Sequence, residues 1–231
     1  MKQTENDPTR QPDGISEPLL EKAGQPSGVA YESPLPEPIA ALLRELCMSE
    51  ARINCRVLEK VIVLAVELAR EGREGHKIGT LFVVADSEAV LERSRCLILD
   101  PLWYHPEAVK HIENPDMRET IKELAQMDGA FVISDEGIVL SACRYINVVA
   151  NDINLPLGLG SRHMAAASIT RETRAMAVVV SESSVVRIFD TGEIVAEIIP
   201  ELWMLSRYGL SISRPFTMNR RSAPDEGAPA G

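Results

Sequence analysis

Apolar residues at helical spacing first occur after residue 38. Residues 39–46 repeat leucine and isoleucine at i, i+3, i+4 and i+7, which predicts an amphipathic helix beginning after Pro38. A wider apolar stripe runs from residue 53 to residue 69. It predicts a second helix, starting near Ser49, that is buried against a sheet or a partner subunit. We expect Gly72 to end this helix, since glycine readily adopts a left-handed conformation.

Beyond residue 75, short apolar runs alternate with helical patterns. Strands are predicted at residues 80–85, 97–99, 130–133, 138–143, 175–180, 185–189 and 193–198. Helices are predicted at 88–93 with Ser87 as N-cap, after Asp116 as N-cap, at about 162–171 and at about 200–205. Turn residues at 135–137 and 190–192 predict hairpins, which require antiparallel pairs. We therefore expect an α/β fold with a mixed, twisted central β-sheet flanked by helices and preceded by an N-terminal helical segment.

Composition divides the chain into four segments. Residues 1–35 and 209–231 lack apolar periodicity, which predicts a disordered N-terminal tail and a flexible C-terminal tail. Residues 36–72 form the N-terminal helical segment. The predicted strands and the remaining helices all fall in residues 73–208, so this segment is the predicted α/β domain.

Charge and hydropathy exclude several classes of partner. The formal net charge is −10 at pH 7, from 24 basic and 34 acidic residues, which argues against non-specific binding of nucleic acid. The first residues lack the apolar core of a signal peptide, and apolar runs such as 61–66 are too short to span a bilayer. We therefore expect a soluble, cytoplasmic protein with no nucleic-acid partner and no membrane partner.

The cysteine pattern indicates neither a zinc site nor a redox motif. The four cysteines are Cys47, Cys55, Cys96 and Cys143, and no two of them have CxxC spacing. The predicted helices and strands around them are apolar. We expect buried, reduced thiols, which suit a reducing compartment.

One loop has the composition of a phosphate site. Gly158 and Gly160 let the backbone approach a ligand, the predicted helix N-terminus offers unpaired N–H groups, and Arg162 supplies a cation. The alternative is an ordinary loop in which Ser161 caps the helix. His163, taken alone, is more often structural than catalytic. The residues of this loop leave both interpretations open.

Two further groups of residues could carry chemistry. Asp128-Gly129-Ala130 lies between a helix and a buried strand, where the carboxylate could hold a metal or could belong to an ordinary Asp-Gly turn. Ser181-Glu182 follows another apolar strand, and a solvated turn is the simpler interpretation there. The sequence contains no GxxxxGK[ST], GxSxG or HExxH motif, which argues against P-loop, hydrolase and zincin chemistry.

Taken in order, these groups resemble the motifs of the diadenylate cyclase domain. Residues 128–130 are similar to the DGA motif of that family, and residues 160–163 are similar to its G[TS]RHR motif. Residues 179–182 resemble the strand that ends in Ser-Glu. The stretch 78–86 also looks like the opening strand of the family, and 118–127 looks like the helix that leads into DGA. The resemblance is to the soluble, archaeal-like type.

The resemblance covers about residues 70–205, and it implies an enzyme that condenses two ATP molecules into cyclic di-AMP with release of two pyrophosphates. It implies that Asp128, Arg162 and His163 are catalytic and that Asp128 holds Mg²⁺ or Mn²⁺. The implied nucleotide-binding residues are Gly129, Ala130, Tyr145, Gly160, Ser161, Ser181 and Glu182. Because the product needs two ATP molecules facing each other, a homo-oligomer, at least a face-to-face dimer, is also implied.

One position departs from the family pattern. Met164 stands where the usual motif has a second arginine, which removes a cation near the phosphates, although archaeal-type members are similar in having an apolar residue there. Two alternatives to an active cyclase remain at this point. One is a non-catalytic sensor that binds adenine nucleotides. The other is an oligomeric scaffold built on the helices of residues 39–69.

Overall fold

The structure, a computed structural model, describes residues 37–50, 53–148, 153 and 155–207. These residues build a seven-stranded sheet. Its strands are β1 (Thr80–Val84), β2 (Ser94–Cys96), β3 (Ala130–Ile133), β4 (Val139–Ile146), β5 (Met176–Val180), β6 (Val186–Asp190) and β7 (Glu193–Ile198). Their order is β2-β4-β3-β1-β5-β6-β7. β1 and β3 are parallel and the other neighbouring strands are antiparallel, which confirms the predicted mixed sheet.

Helices cover both faces of this sheet. They are α1 (Glu37–Glu50), α2 (Cys55–Glu71), α3 (Ser87–Glu92), α4 (Pro115–Leu124), α5 (Ser161–Glu172) and α6 (Pro200–Arg207). Successive side chains of a strand point to opposite faces. Phe82 and Val84 of β1 therefore pack in one cluster with α2, whereas Leu81 and Val83 pack in a second cluster with α5. This layering confirms the predicted α/β class.

Helix α2 makes the larger apolar contact with the sheet. The Asn54 side chain accepts a hydrogen bond from the N–H of Arg56 at 3.1 Å and begins the helix, and Gly72, at φ 62°, ends it as predicted. Leu58 and Ile62 are fully buried, and burial of such a side chain contributes about 1.5–3 kcal/mol. The wide apolar stripe is explained by contact with β5 and β6 of the same chain.

Several predicted helix starts are wrong. The second helix begins at Cys55 instead of near Ser49, because α1 continues to residue 50. Helix α4 is capped by Asn114 and not by Asp116. The Asn114 Oδ1 atom accepts the N–H of Asp116 at 3.0 Å, which makes Asp116 an acid of the first turn. Ser87, predicted as an N-cap, is the first residue of α3.

Two predicted strands are also placed incorrectly. The short strand β2 occupies residues 94–96 and not 97–99, because its backbone pairs with residues 144–146 of β4. The β4 strand does not end at Cys143 and continues to Ile146. Both boundaries depend on pairing between strands that are distant in sequence. The local pattern of hydrophobic residues does not indicate this pairing.

The prediction of buried, reduced thiols holds only in part. Cys47 and Cys55 form a disulfide between α1 and the start of α2, with their Cα atoms 5.9 Å apart. Cys96 is exposed, whereas Cys143 is a buried free thiol as expected. The prediction is therefore wrong for three of the four cysteines.

Other predictions concern the ends of the chain and membranes. The predicted tails, residues 1–35 and 209–231, lie outside the described residues. Among the helices that the structure describes, none has the length and apolar composition needed to cross a bilayer.

A β-bulge joins the start of β3 to β4. Between the positions opposite Ala130 and Val132, β4 carries one extra residue, and Cys143 in this region has φ 53°. Gly129 precedes β3 with φ 111°, and a Cβ atom there would lie 2.6 Å from the carbonyl carbon of Cys143. The bulge therefore requires glycine at position 129.

Gly129→Ala should lower the free energy of unfolding by about 2–4 kcal/mol, because alanine meets both an unfavourable φ and the backbone of β4. Urea denaturation at pH 7 measures this loss. Gly75→Ala is the matched control, since Gly75 has φ 81° and no atom within 4 Å of a Cβ. Equal losses in the two variants would contradict a steric role for the bulge.

Candidate functional site

The sheet topology brings three loops to one edge. The parallel strands β1 and β3 begin there, after Gly79 and after Asp128-Gly129, respectively. The antiparallel strand β5 ends there, with Val180 opposite Thr80, so that Glu182 follows at the same edge. Residues 128–129, 79 and 182, which are far apart in sequence, therefore become neighbours.

Arg162, in the first turn of α5, connects two of these loops. Its Nη2 atom lies 2.9 Å from Oδ1 of Asp128, and its Nη1 atom lies 3.1 Å from Oε1 of Glu182. A Cβ atom on Gly79 would lie 2.5 Å from the same Nη1 atom, so the guanidinium rests directly against that glycine. The carboxylate side chains are 83% and 68% exposed, so these ion pairs are weak enough for a ligand to replace.

The N-terminus of α5 is open to an anion. Gly160 occupies the N-cap position, with no side-chain cap bond, and its carbonyl accepts the N–H groups of His163 and Met164. Ser161 is the exposed first residue of the helix and does not cap it. The N–H groups of Ser161 and Arg162 have no partner in the preceding turn of a helix, which is the usual arrangement of a phosphate-binding helix end.

A cavity of about 370 Å³ adjoins this helix end. Its polar lining includes Asp128, Ser161 and Arg162, and its apolar lining includes Leu81, Leu97 and Ile146. Gly129, Arg144 and Tyr145 also line it. A polar part beside a helix N-terminus and a flanking apolar part suit a ligand that combines phosphates with a flat ring.

Arg144 is buried beside this cavity, and its hydrogen-bond acceptors within the described part of the chain include no acidic side chain. Its guanidinium donates to Oγ of Ser94 at 2.8 Å and to the carbonyl oxygens of Ser94 and Leu91 at 3.0 and 3.2 Å. The neighbouring Tyr145 is exposed, and its ring lies 4.8 Å from the guanidinium carbon of Arg95. Backbone and hydroxyl acceptors thus hold a cation in the wall of the cavity.

His163 is only 6% exposed and does not line the cavity. Its Nε2 atom lies 3.2 Å from Nη1 of Arg187 in β6. Burial, then Arg187, then Arg162 lower the pKa of His163 below its ordinary value of 6.5, and Glu197 opposes them. The folded state therefore favours the neutral ring. His163 contributes to the free energy of unfolding above pH 6.5, and this contribution is lost as the pH falls through the lowered pKa of the folded state.

The remaining predicted residues occupy different environments. Ala130 is buried at the start of β3, and Gly160 is exposed. The Ser181 hydroxyl lies 2.9 Å from that of Ser183 and accepts the N–H of Ser183 at 3.2 Å, so it is engaged within its own turn. Glu182 joins the site through Arg162. Six predicted residues therefore line the cavity or take part in the ion pairs of Arg162: Asp128, Gly129, Tyr145, Ser161, Arg162 and Glu182. The other four predicted residues do neither: Ala130, Gly160, His163 and Ser181.

The donor set at this edge fits a hard divalent cation. Asp128 and Glu182 converge on one cationic group, the Arg162 guanidinium, with carboxylate oxygens. No group of three or more His, Cys, Asp or Glu side chains within the described ranges could hold a metal by itself. Mg²⁺ and Mn²⁺ accept such partial protein shells, because they keep water and phosphate oxygens as further ligands.

Comparison with protein families decides the relationship. The model of the DAC family, described as the DisA bacterial checkpoint controller nucleotide-binding domain, matches residues 67–194, which is more than half of the chain. The chain belongs to the DAC family. The matched range contains every predicted site residue, and it includes the strands and the helix that form the edge described above.

Two curated archaeal members of the DAC family are similar to this chain. A protein named diadenylate cyclase from Methanocaldococcus jannaschii is 48% identical over 146 residues, which cover 63% of this chain and 46% of that protein. A protein of the same name from Haloferax volcanii is 40% identical over 158 residues, which cover 67% of this chain and 57% of that protein. The chain thus spans about half the length of the curated relatives it matches.

Solved structures are more distant. A hypothetical membrane spanning protein from Bacillus cereus is 19% identical, with a TM-score of 0.44, and the match covers 58% of this chain and 59% of that one. A double mutant of DacA from Staphylococcus aureus is also 19% identical, with a TM-score of 0.40, and the match covers 68% of this chain and 97% of that one.

Three residues around this DAC-family site were not predicted from the sequence as site residues. They are Gly79, Arg144 and Arg187. Each carried a usable signal: Gly79 directly precedes the first buried strand, and each arginine is an isolated cation in a strand rich in apolar residues. A charged residue buried in a strand needs a partner. Such an arginine could therefore have been predicted to lie near other polar residues of a site.

Gly79→Ala should displace the guanidinium of Arg162 from the two carboxylates, because the new Cβ would lie 2.5 Å from Nη1 of Arg162 and 3.2 Å from Cγ of Glu182. The flexible end of an arginine can move, so we expect a change of less than about 1 kcal/mol in the free energy of unfolding. Crystal structures of the wild type and the variant test this. An Arg162 that still bridges Asp128 and Glu182 in the variant would contradict it.

Proposed function

We propose that this protein is a diadenylate cyclase that condenses two ATP molecules into cyclic di-AMP and releases two pyrophosphates. The observation that carries the proposal is Arg162, which lies at the open N-terminus of α5 and bridges two carboxylates beside a cavity of about 370 Å³. The names of the archaeal relatives support the same activity.

The chemistry is a double phosphoryl transfer. In each half, a ribose 3′-oxygen forms a bond to the α-phosphorus of the other ATP, the bond from that phosphorus to the pyrophosphate oxygen breaks, and the hydroxyl proton is released. Such reactions depend on alignment and on stabilisation of negative charge. Arg162, the N–H groups of the first turn of α5 and the Ser161 hydroxyl would bind the phosphates, and the apolar wall beside Tyr145 would receive the adenine.

Asp128 and Glu182 would hold Mg²⁺ or Mn²⁺ against the phosphates once Arg162 turns to them. The metal would supply Lewis-acid stabilisation of the charge on the phosphates. Asp128 would also assist in activating the attacking hydroxyl. Gly129 would keep Asp128 in place through the bulge with β4. We propose His163 as a residue that acts from behind the site, since it is buried beside Arg187.

The product requires two active sites that face each other. Each copy of the chain contributes the cavity beside its own Arg162, and ring closure needs two ATP molecules with mutually opposed 3′-hydroxyls. We therefore propose a homo-oligomer containing at least a face-to-face dimer. A single copy should bind ATP and should not form cyclic di-AMP.

A second candidate is a nucleotide-binding sensor without turnover. Met164, half-buried in the first turn of α5, is the observation that favours it, because the usual motif has an additional cation there. This candidate predicts ATP binding with no cyclic product under any metal condition.

Asp128→Asn should reduce formation of cyclic di-AMP to background, because it removes a charge that holds the metal. The side chain is 83% exposed, so the melting temperature should stay unchanged. Chromatography and mass spectrometry of reactions with ATP and Mn²⁺ or Mg²⁺ measure the product. Asp135→Asn, an exposed acid in the turn between β3 and β4, is the matched control. Full turnover by Asp128→Asn would remove this residue from the mechanism.

Arg162→Met should have opposite effects on the two ligands. Without its cation, the carboxylate pair should bind Mn²⁺ about five-fold more tightly in the absence of nucleotide, as two weak ion pairs no longer compete. ATP should bind about 1–3 kcal/mol more weakly, because a charge-assisted phosphate bond is lost.

Electron paramagnetic resonance of free Mn²⁺ and calorimetry of ATP measure these changes. Arg174→Met is the control, because Arg174 is 76% exposed and pairs with Asp86. Unchanged affinities for both ligands would place Arg162 outside the functional site.

A further inference from the structure

A series of polar contacts runs along the α5 face of the sheet, from its edge strand to the helix. Glu197 of the edge strand β7 lies 2.5 Å from Nε of Arg187 in β6. The Nη1 atom of Arg187 lies 3.2 Å from Nε2 of His163, in the first turn of α5. The Arg187 side chain is 14% exposed. The Glu197 side chain, at the outer end of this series of contacts, is 53% exposed. These contacts connect the outer edge of the sheet to the helix that carries Arg162.

The chemistry of the arginine fixes the state of the histidine. A guanidinium donates hydrogen bonds and cannot accept them, so Nε2 of His163 must be the acceptor, and the proton of the neutral ring must be on Nδ1. The Nδ1 atom is buried and has no hydrogen-bond partner among the described residues. The groups that face the ring are Arg187 and Phe189 from β6, Arg162 from its own helix and Glu197 from β7.

We propose that Arg187 and Glu197 are positioning residues, which hold His163 as the neutral Nδ1–H tautomer and thereby fix the rotation of the first turn of α5. Neighbouring residues of a helix point about 100° apart. His163 contacts the sheet, and the adjacent Arg162 points to Asp128 and Glu182. Loss of the contact between Arg187 and His163 would let the first turn of α5 rotate. The guanidinium of Arg162 would then move away from the phosphates.

Fold stability alone does not explain an arginine at this position. Apolar side chains from β1 and β5, Leu81 and Val179, pack on the same face of the sheet, and an aliphatic residue in β6 would extend that layer. Arg187→Met removes only one member of the ion pair, and the Glu197 side chain is 53% exposed, so its carboxylate would stay in contact with water and would not become an unpaired buried charge. Arg187→Met should therefore fold, which allows a positioning role to be separated from a structural one.

The first test is the tautomer of His163, read from ¹⁵N–¹H correlation spectra of the imidazole rings. The chain has four histidines, and His163→Gln assigns the signal. We expect a neutral ring protonated on Nδ1 in the wild type and in Arg174→Met. In Arg187→Met we expect a mixture of tautomers and titration at higher pH. A wild-type ring protonated on Nε2, or a tautomer unchanged in Arg187→Met, would overturn the proposal.

The second test concerns the consequence for the site, which rests on the proposed cyclase function. Arg187→Met should lower kcat on the order of tenfold and should move the acidic limb of the pH profile to higher pH. Arg187→Lys, which can still donate to Nε2, should recover at least part of the rate. Glu197→Gln, which leaves Arg187 in place but less firmly oriented, should lose less than Arg187→Met.

The two tests separate the ways in which the proposal can fail. If the wild type forms no cyclic di-AMP, ATP affinity by calorimetry replaces kcat as the readout, with the same order expected among the variants. If the wild type also binds no ATP, both the proposed function and the positioning role are overturned, although the tautomer result stands. Normal rates and an unshifted pH profile in a folded Arg187→Met would overturn the positioning role alone.

Discussion

The pairing of three central strands is the constraint on which the site depends. β1 lies between a parallel neighbour, β3, and an antiparallel neighbour, β5. Parallel pairing places the beginnings of β1 and β3 at one edge, and antiparallel pairing brings the end of β5 to the same edge. Asp128, Gly79 and Glu182 meet there because each lies within two residues of the end of one of these strands. A sheet of purely parallel strands would send the residues after β5 to the opposite edge.

The site contains a cation, Arg162, although the protein as a whole is negatively charged. A chain with a net charge of −10 repels an anionic ligand at long range. At the site, the guanidinium of Arg162 lies between two exposed carboxylates, which offset its positive charge when no nucleotide is bound. A ligand that brings both phosphates and a divalent cation offers Arg162 and the carboxylates new partners at the same time. Under the proposed function, phosphate and metal binding would therefore be coupled through one side chain.

The sequence was sufficient where the signal is local. Hydrophobic periodicity predicted α2, β1, β3 and the hairpin of β6 and β7, since each of these has an apolar pattern of its own. It failed for β2, which is too short and too polar to be recognised without its partner β4. It also failed for the cap of α4, because Asn114 and Asp116 are both good caps and only the backbone geometry selects one.

The candidate site was predictable as a set of motifs and not as a geometry. The order of the motifs identified Asp128, Arg162 and Glu182, which the structure brings into contact. No pattern in the sequence distinguishes the neighbours Arg162 and His163, yet one faces the carboxylates and the other is buried against the sheet. The rotation of α5 makes that distinction, and the rotation depends on a residue of β6. Interactions between elements distant in sequence cannot be inferred from the composition of either element alone.

Two further arginines, buried Arg144 and largely buried Arg187, lie close to Arg162 and its helix. Arg144 lies in the wall of the cavity and is held by carbonyl and hydroxyl oxygens, whereas Arg187 lies behind α5 and is held by Glu197 and His163. Each donates to several acceptors in a fixed direction, which restricts its motion more than a surface pair would. Arg162 differs, since its partners are exposed and replaceable. Arg144 and Arg187 thus support the site through the sheet, whereas the exposed carboxylates that pair with Arg162 can be exchanged for a ligand.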